Sequence, residues 1–214
     1  MKKMISSGLV ALAFIAAVGN ASAHGNLVDN GSFEADYQSA GTYGFYASIS
    51  NWTANIDPNG VELRNNVGGS AFDGSNFIEL DVHSNSSISQ YIAVTGSDYY
   101  SLSFAYSPRP GVGSNSNGIE VFWNGASQGI FTGVGYGHSG NVWQTETVTL
   151  VGSGAGLLKF KAIGISDGLG GLLDAVSVTD VDVTAVPEPE TYAMLLAGLG
   201  LMGFMTRRAR KKAA

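Results

Sequence analysis

The pattern of residues 24–180 predicts an all-β fold, a sandwich or a barrel, with an apolar helical segment at each end of the chain. Three observations lead there. No window of this stretch sustains a helical period; short apolar runs alternate instead with clusters of Gly, Ser, Asn and Asp. Tyr99–Tyr106 alternates along its whole length, with Tyr100, Leu102, Phe104 and Tyr106 on one face and Ser101, Ser103 and Ala105 on the other. An apolar row of period two is a core-facing row. Finally, Asn124-Gly125 separates two apolar runs and supplies the positive φ angles that a type I′ hairpin turn requires.

Taken in order, Asn26–Val28 reads as a strand before the Asn30-Gly31-Ser32-Phe33-Glu34 turn, and residues 36–47 read as a loop rich in Tyr and Gly. Short strands follow at Ile49–Ala54 and Val61–Leu63. Asp73-Gly74 turns the chain into a strong strand, Asn76–Val82, and the next runs from Ser86 to Val94. Beyond Tyr99–Tyr106, the Asn-Gly hairpin joins Gly118–Trp123 to Ala126–Phe131. Trp143–Leu150, Leu157–Ile163 and Leu172–Val178 complete the set. By their strand positions Trp52, Trp123 and Trp143 are expected in the core.

The two ends are addresses rather than parts of the fold. Residues 1–23 have the order of a secretory signal peptide: Lys2 and Lys3, an apolar stretch from Leu9 to Val18, and Ala21-Ser22-Ala23 before the cut. Cleavage by signal peptidase after Ala23 leaves His24 as the new N-terminus, and implies transport by the general secretion machinery. Residues 181–186 link the β region to the C-terminal segment, which has three parts. Pro187-Glu188-Pro189 is a stiff extended peptide with a carboxylate at its centre. An uncharged apolar run, Tyr192–Met205, follows, and Arg207, Arg208, Arg210, Lys211 and Lys212 close the chain. Within the expected transmembrane helix, 191–206, this run would reach about 20 Å against a hydrocarbon core of ~30 Å. Tyr192 and the snorkelling cations bridge the difference, and place the basic end on the cytoplasmic side.

The order of these three parts over 187–212 resembles the PEP-CTERM sorting signal of Gram-negative bacteria. The resemblance implies that an exosortase, a membrane cysteine protease-transpeptidase, reads Pro187, Glu188 and Pro189. It then cuts nearby and discards the helix. The chain is thus expected to be held transiently in the inner membrane and then released to the cell surface or the extracellular polysaccharide matrix.

Charge narrows the partners. Residues 24–186 carry ten Asp and five Glu against two Arg and two Lys, a net charge of −11. So acidic a domain is unsuited to nucleic acid or anionic lipid and is compatible with divalent cations and neutral polymers. The chain has no Cys, which excludes thiol catalysis and cysteine metal sites.

Three motifs form an ordered set: Asn30-Gly31-Ser32-Phe33-Glu34, Ser89-Gln90-Tyr91-Ile92 before Gly96-Ser97-Asp98-Tyr99-Tyr100-Ser101-Leu102-Ser103-Phe104, and Leu172-Leu173-Asp174-Ala175-Val176-Ser177-Val178. The set resembles the galactose-binding-like jelly rolls, a superfamily with many carbohydrate-binding modules. The resemblance implies a structural Ca²⁺ held by Glu34 and Asp174 with nearby carbonyl oxygens, a donor set of the hard kind Ca²⁺ takes. It also implies a glycan surface, for which the loop aromatics Tyr43, Tyr46 and Tyr136 are the candidates.

Enzyme chemistry finds little support. Gly164-Ile165-Ser166-Asp167-Gly168 has the Gly-x-Ser-x-Gly spacing, but a Gly-rich loop and a strand follow it and no His lies beyond His138. His24, His83 and His138 lack metal-ligand spacing. Fifteen acids offer many pairs for glycoside hydrolysis, none in a recognisable setting. The expectation is a non-catalytic glycan-binding or matrix-associated protein. A purely structural surface protein and a polysaccharide-acting hydrolase are the competing readings. Mass spectrometry of the secreted protein should find a chain that begins at His24 and ends near Pro187–Pro189; an intact C-terminus, with its basic residues, would show that the segment is never cut.

Overall fold

The structure, a computed structural model, describes residues 25–54, 60–95, 98–152 and 154–181, and near the C-terminus 196–202, 204, 205 and 208. Ala23, His24 and the Pro187-Glu188-Pro189 motif lie outside the described residues. So does the predicted signal helix. Of the predicted C-terminal helix, residues 196–202 are helical. No helix among the described residues is long and apolar enough to cross a membrane.

Eleven strands are present among the described residues. They are β1 (Thr42–Tyr46), β2 (Thr53–Ala54), β3 (Val61–Asn65), β4 (Asn76–Glu79), β5 (Ser87–Ala93), β6 (Tyr99–Ser107), β7 (Gly118–Trp123), β8 (Ala126–Phe131), β9 (Gln144–Val151), β10 (Ala155–Ile163) and β11 (Leu172–Asp180). They form two antiparallel sheets, a six-stranded one in the order β1-β3-β4-β11-β6-β9 and a five-stranded one in the order β2-β5-β10-β7-β8. Among these strands only β3–β4 and β7–β8 follow one another within a sheet. At every other step the chain crosses to the opposite sheet, as it must in a sandwich of the jelly-roll kind.

Alternation builds the core. Tyr100, Leu102, Phe104 and Tyr106 of β6 are buried, as are Leu158, Phe160 and Ala162 of β10 and Ile119, Val121 and Trp123 of β7. Phe104 meets Phe131 and Phe160 edge-on at 4.9 and 5.2 Å between ring centroids, and Phe160 in turn meets Trp52 at 6.3 Å. Each such side chain, fully removed from water, contributes about 2–3 kcal/mol. The predicted hairpin is present: Asn124 and Gly125 have φ of 50° and 83°, and join β7 to β8.

The N-terminal segment does not form a regular strand, although it does pair. Leu27 N–H donates to Val178 O at 2.8 Å and Val176 N–H to Gly31 O at 2.9 Å. Beside these bonds β11 bulges, with Ala175 at φ 48° and a register shift between Asp174 and Ser177. The Asn26 side chain bridges the gap, donating to Val176 O at 3.1 Å and accepting from Val178 N–H at 3.0 Å. Gly31 is required by this close approach: a Cβ there would lie 2.0 Å from Val176 O.

Four expectations need correction. Residues 42–46 of the expected loop form β1, because Tyr43 and Phe45 alternate with Gly44 and Tyr46 against β3. The stretch Ile49–Ala54 is mostly a tight turn, closed by the Ile49–Trp52 bridge with Asn51 at φ 67°. β4 ends at Glu79, after which Asp81 pairs with Asn85 in an isolated bridge. Trp143 lies just before β9 rather than in the core, and its ring packs on Phe77 across the outside of the six-stranded sheet.

Candidate functional site

Val61, Leu63 and Ile78 of β3 and β4 face the core, so Glu62, Arg64, Phe77 and Glu79 must face the other way. On many antiparallel sheets that outer face is wet. Here loops cover it, and all four side chains are buried.

Glu62 stands opposite Glu79 in the strand register. Two carboxylates so placed would repel each other, and two arginines resolve this. Arg64 Nη1 donates to Glu62 at 2.5 Å and to Glu79 at 3.1 Å. Arg109, from the loop after β6, reaches Glu79 at 2.5 Å and donates to Gly168 O at 3.2 Å. Gly170 N–H, from the loop before β11, donates to the second Glu79 oxygen at 2.6 Å. These are the only two arginines between residues 24 and 186. Burial pushes Glu79 up to about 7; Arg109 pulls it back and the Glu62 charge adds to the rise. Burial also raises Glu62, against Arg64.

An aromatic band lies over this network. His83 meets Phe45 at 5.1 Å between ring centroids, and Phe45 meets Tyr43 at 5.7 Å. The Arg64 guanidinium sits 5.6 Å from the Tyr43 ring and 5.9 Å from Phe77. Phe77 meets Trp143 at 5.6 Å, and Trp143 meets Phe72 at 6.3 Å. The middle is buried while the ends are open: Tyr43 is 53% exposed, Phe45 49% and Phe72 50%.

The three tyrosines expected to bind ligand do not form one cluster. Tyr43 is at one end of the band. Tyr46, one residue out of phase with Phe45, turns inward against the core and donates its hydroxyl to Gln38 at 2.7 Å. Tyr136 is exposed on the loop after β8, beside Gly113. Sequence reasoning missed Phe45, Phe72, Phe77 and Arg64. The alternation Tyr43-x-Phe45, Glu62-x-Arg64 and Phe77-x-Glu79 was the available signal.

Glu34 and Asp174 do meet, at the turn 72–76. Glu34 Oε1 accepts the N–H groups of Ser75 and Asn76 at 2.7 and 2.6 Å. Asp174 Oδ2 accepts those of Phe72 and Asp73 at 2.8 and 3.0 Å, and Oδ1 that of Ala175 at 2.6 Å. Neither acid makes an ion pair among the described residues. The oxygens are of the hard kind Ca²⁺ takes. Those turned to the loop already accept N–H donors, and among the described residues Glu34 Oε2 accepts none. Among the described residues no group of three or more His, Cys, Asp or Glu is placed to hold a metal. Burial pushes Asp174 up to about 7, with the three N–H groups opposing. In the Gly-x-Ser-x-Gly stretch, the exposed Ser166 accepts the Asn85 N–H at 2.9 Å.

Comparison with known proteins identifies a PEP-CTERM protein-sorting motif at residues 185–211. The chain is thus an exported protein with a C-terminal sorting segment. It is 33% identical over 172 residues to a multifunctional-autoprocessing repeats-in-toxin protein of Vibrio vulnificus, an alignment covering 78% of this chain. The chain spans only about 3% of the length of the curated relatives it matches. Among solved structures, it is similar to the cleaved adhesin domain of Lys-gingipain from Porphyromonas gingivalis, with a TM-score of 0.49 and 15% identity, over 65% of this chain and 98% of that one. It is also similar to a family 35 carbohydrate binding module from Clostridium thermocellum, with a TM-score of 0.42 and 15% identity, over 64% and 97% of the two chains. At these values no ligand is carried over from either.

The Asp174 carboxyl has a pH consequence. Its folded-state value lies above its unfolded one, so the native chain holds the proton more tightly. The resulting stabilisation is complete below about pH 4 and lost as the pH rises towards 7. Glu79 titrates in the same direction and over much the same window. In the presence of chelator, the melting temperature should therefore fall from pH 4.5 to 7.5, and Asp174→Asn should reduce that slope; an identical slope in the variant would mean that Asp174 ionises normally.

Proposed function

We propose that this exported chain is a non-catalytic binding protein whose β-sandwich takes a neutral glycan on the outer face of its six-stranded sheet. The observation that carries this reading is the continuous band from His83 to Phe72, buried in its middle and open at its ends. Pyranose rings present C–H faces that pack on aromatic rings, and a row of fixed rings suits successive sugars of one polymer. The net charge of −11 over residues 24–186 favours a neutral polymer over an acidic one.

The charge network supports a non-catalytic reading. Glu62 and Glu79 are an in-register acid pair, but both are buried and committed to arginines. Glycoside hydrolysis requires two carboxyl groups with the scissile bond between them, and a pair bridged by one guanidinium leaves no such space. Exosortase and the secretion machinery are the proposed processing partners, and an extracellular polysaccharide the proposed ligand, at the cell surface or in the matrix.

Binding to a glycan array tests the reading. The double variant Tyr43→Ala/Phe45→Ala should bind about tenfold or more weakly, as expected from losing two stacking rings. Unchanged binding would remove the band as the site, and the absence of any saturable binding by the unaltered chain would favour a purely structural protein. Ca²⁺ held by Glu34 and Asp174 is a separate proposal, resting on two hard-oxygen side chains that tie residues from both ends of the sandwich to one turn. Added to chelated protein at pH 7.5, Ca²⁺ should raise the melting temperature by a few degrees. An unchanged melt would leave the turn held by hydrogen bonds alone.

A further inference from the structure

We infer that the domain has a second binding site for a neutral, hydroxyl-rich ligand, in a cleft at the edge of the five-stranded sheet, on the opposite side of the sandwich from the aromatic band. The class of ligand rests on the glycan reading; the place does not.

The cleft has a volume of about 450 Å³ and is lined by Asp29, Asn51, Thr53, Ser89, Tyr91 and Leu157, with Gln90 behind them. Gln90 explains why a cleft is present at all. Its side chain is turned inward and buried, and every part of its amide is used. Oε1 accepts the Asp29 N–H at 2.9 Å, while Nε2 donates to Asp29 O at 2.9 Å and to Asn51 O at 2.8 Å. One residue of β5 thus fixes the backbone of both walls, one from the N-terminal segment and one from the turn before β2. The walls are set before any ligand arrives, which lowers the entropic cost of binding.

The side chains that line the cleft define the chemistry; among them the Ser89 hydroxyl makes a long contact of 3.5 Å to Thr53 O. Ser89 and Tyr91 alternate with Gln90 and face outward, and Tyr91 is 75% exposed. Tyr91 lies opposite Leu157 of β10, and Thr53 of β2 lies opposite Ser89. The result is one aromatic plate bordered by an aliphatic side chain, two hydroxyls, an amide and a carboxylate. A ring with a C–H face and vicinal hydroxyls uses all of these: the face stacks on Tyr91, and adjacent hydroxyls donate to the Asp29 carboxylate. An anion would be repelled by Asp29, a divalent cation would find only one carboxylate, and an apolar ligand would strand the polar groups. With the band on the other sheet, two sites of one ligand class make the domain bivalent towards a polymer.

The test is native electrophoresis of the full-length chain in detergent, through gels cast with galactan, glucan, mannan or xylan. On a polymer that retards the unaltered chain, Tyr91→Ala and Asp29→Asn should each weaken retardation roughly five- to tenfold without changing the melting curve. Tyr43→Ala/Phe45→Ala should retain residual binding that added Tyr91→Ala abolishes. If the cleft variants migrate as the unaltered chain does while Tyr43→Ala/Phe45→Ala loses all retardation, the cleft is overturned and the band stands. If the reverse holds, the cleft is supported and the band falls. No retardation of the unaltered chain on any polymer overturns both.

Discussion

Three buried charges, Glu62, Arg64 and Glu79, together with the half-buried Arg109, hold the outer layer of this sandwich to its six-stranded sheet. Removing such groups from water costs several kcal/mol per ion, and here each is paired, while the buried Arg64 Nε has no hydrogen-bond partner among the described residues. Glu79 is the hinge of the arrangement. It takes Arg64 from β3, Arg109 from the loop after β6 and the Gly170 N–H from the loop before β11. Taking away one partner would strand the others, at about 3–5 kcal/mol. The loops are therefore placed by electrostatics over a sheet whose opposite face is placed by apolar burial.

The same network sets what the outer face can do. Arg64 is fixed by two carboxylates, and its flat guanidinium spans the space between Tyr43 and Phe77. A mobile cation would break the band at that point; a locked one continues it, since a guanidinium packs on aromatic faces much as another ring does.

The ends of the sandwich are held by a different device. The N-terminal segment lies along the bulged part of β11, tied by the Asn26 side chain and two backbone bonds, while Glu34 and Asp174 grip one turn from two directions. A domain without cysteines thereby joins its first and last segments through backbone hydrogen bonds and carboxylates. This places the exit towards the sorting segment at the end of β11, where a cut leaves the sandwich intact.

Local pattern was enough for the class of fold, the β7–β8 hairpin and the long strand β6, because an Asn-Gly turn and a period of two are properties of neighbouring residues. The C-terminal sorting motif was legible for the same reason: it is a linear address. β1 was not, since Gly and Tyr mimic a loop until β3 supplies a partner. Nor was the placement of Trp143, which depends on Phe77 lying beneath it. Of the tyrosines expected at a site, Tyr43 lies on the band, Tyr46 turns to the core and Tyr136 stands apart, a sorting set by strand phase and loop path. The sequence by itself determined that this is an acidic, cysteine-free β protein with a sorting motif at residues 185–211. Only the tertiary structure decided which acids pair with which arginines and which rings align, because those contacts join residues far apart in the chain and exist only once the sheets have closed.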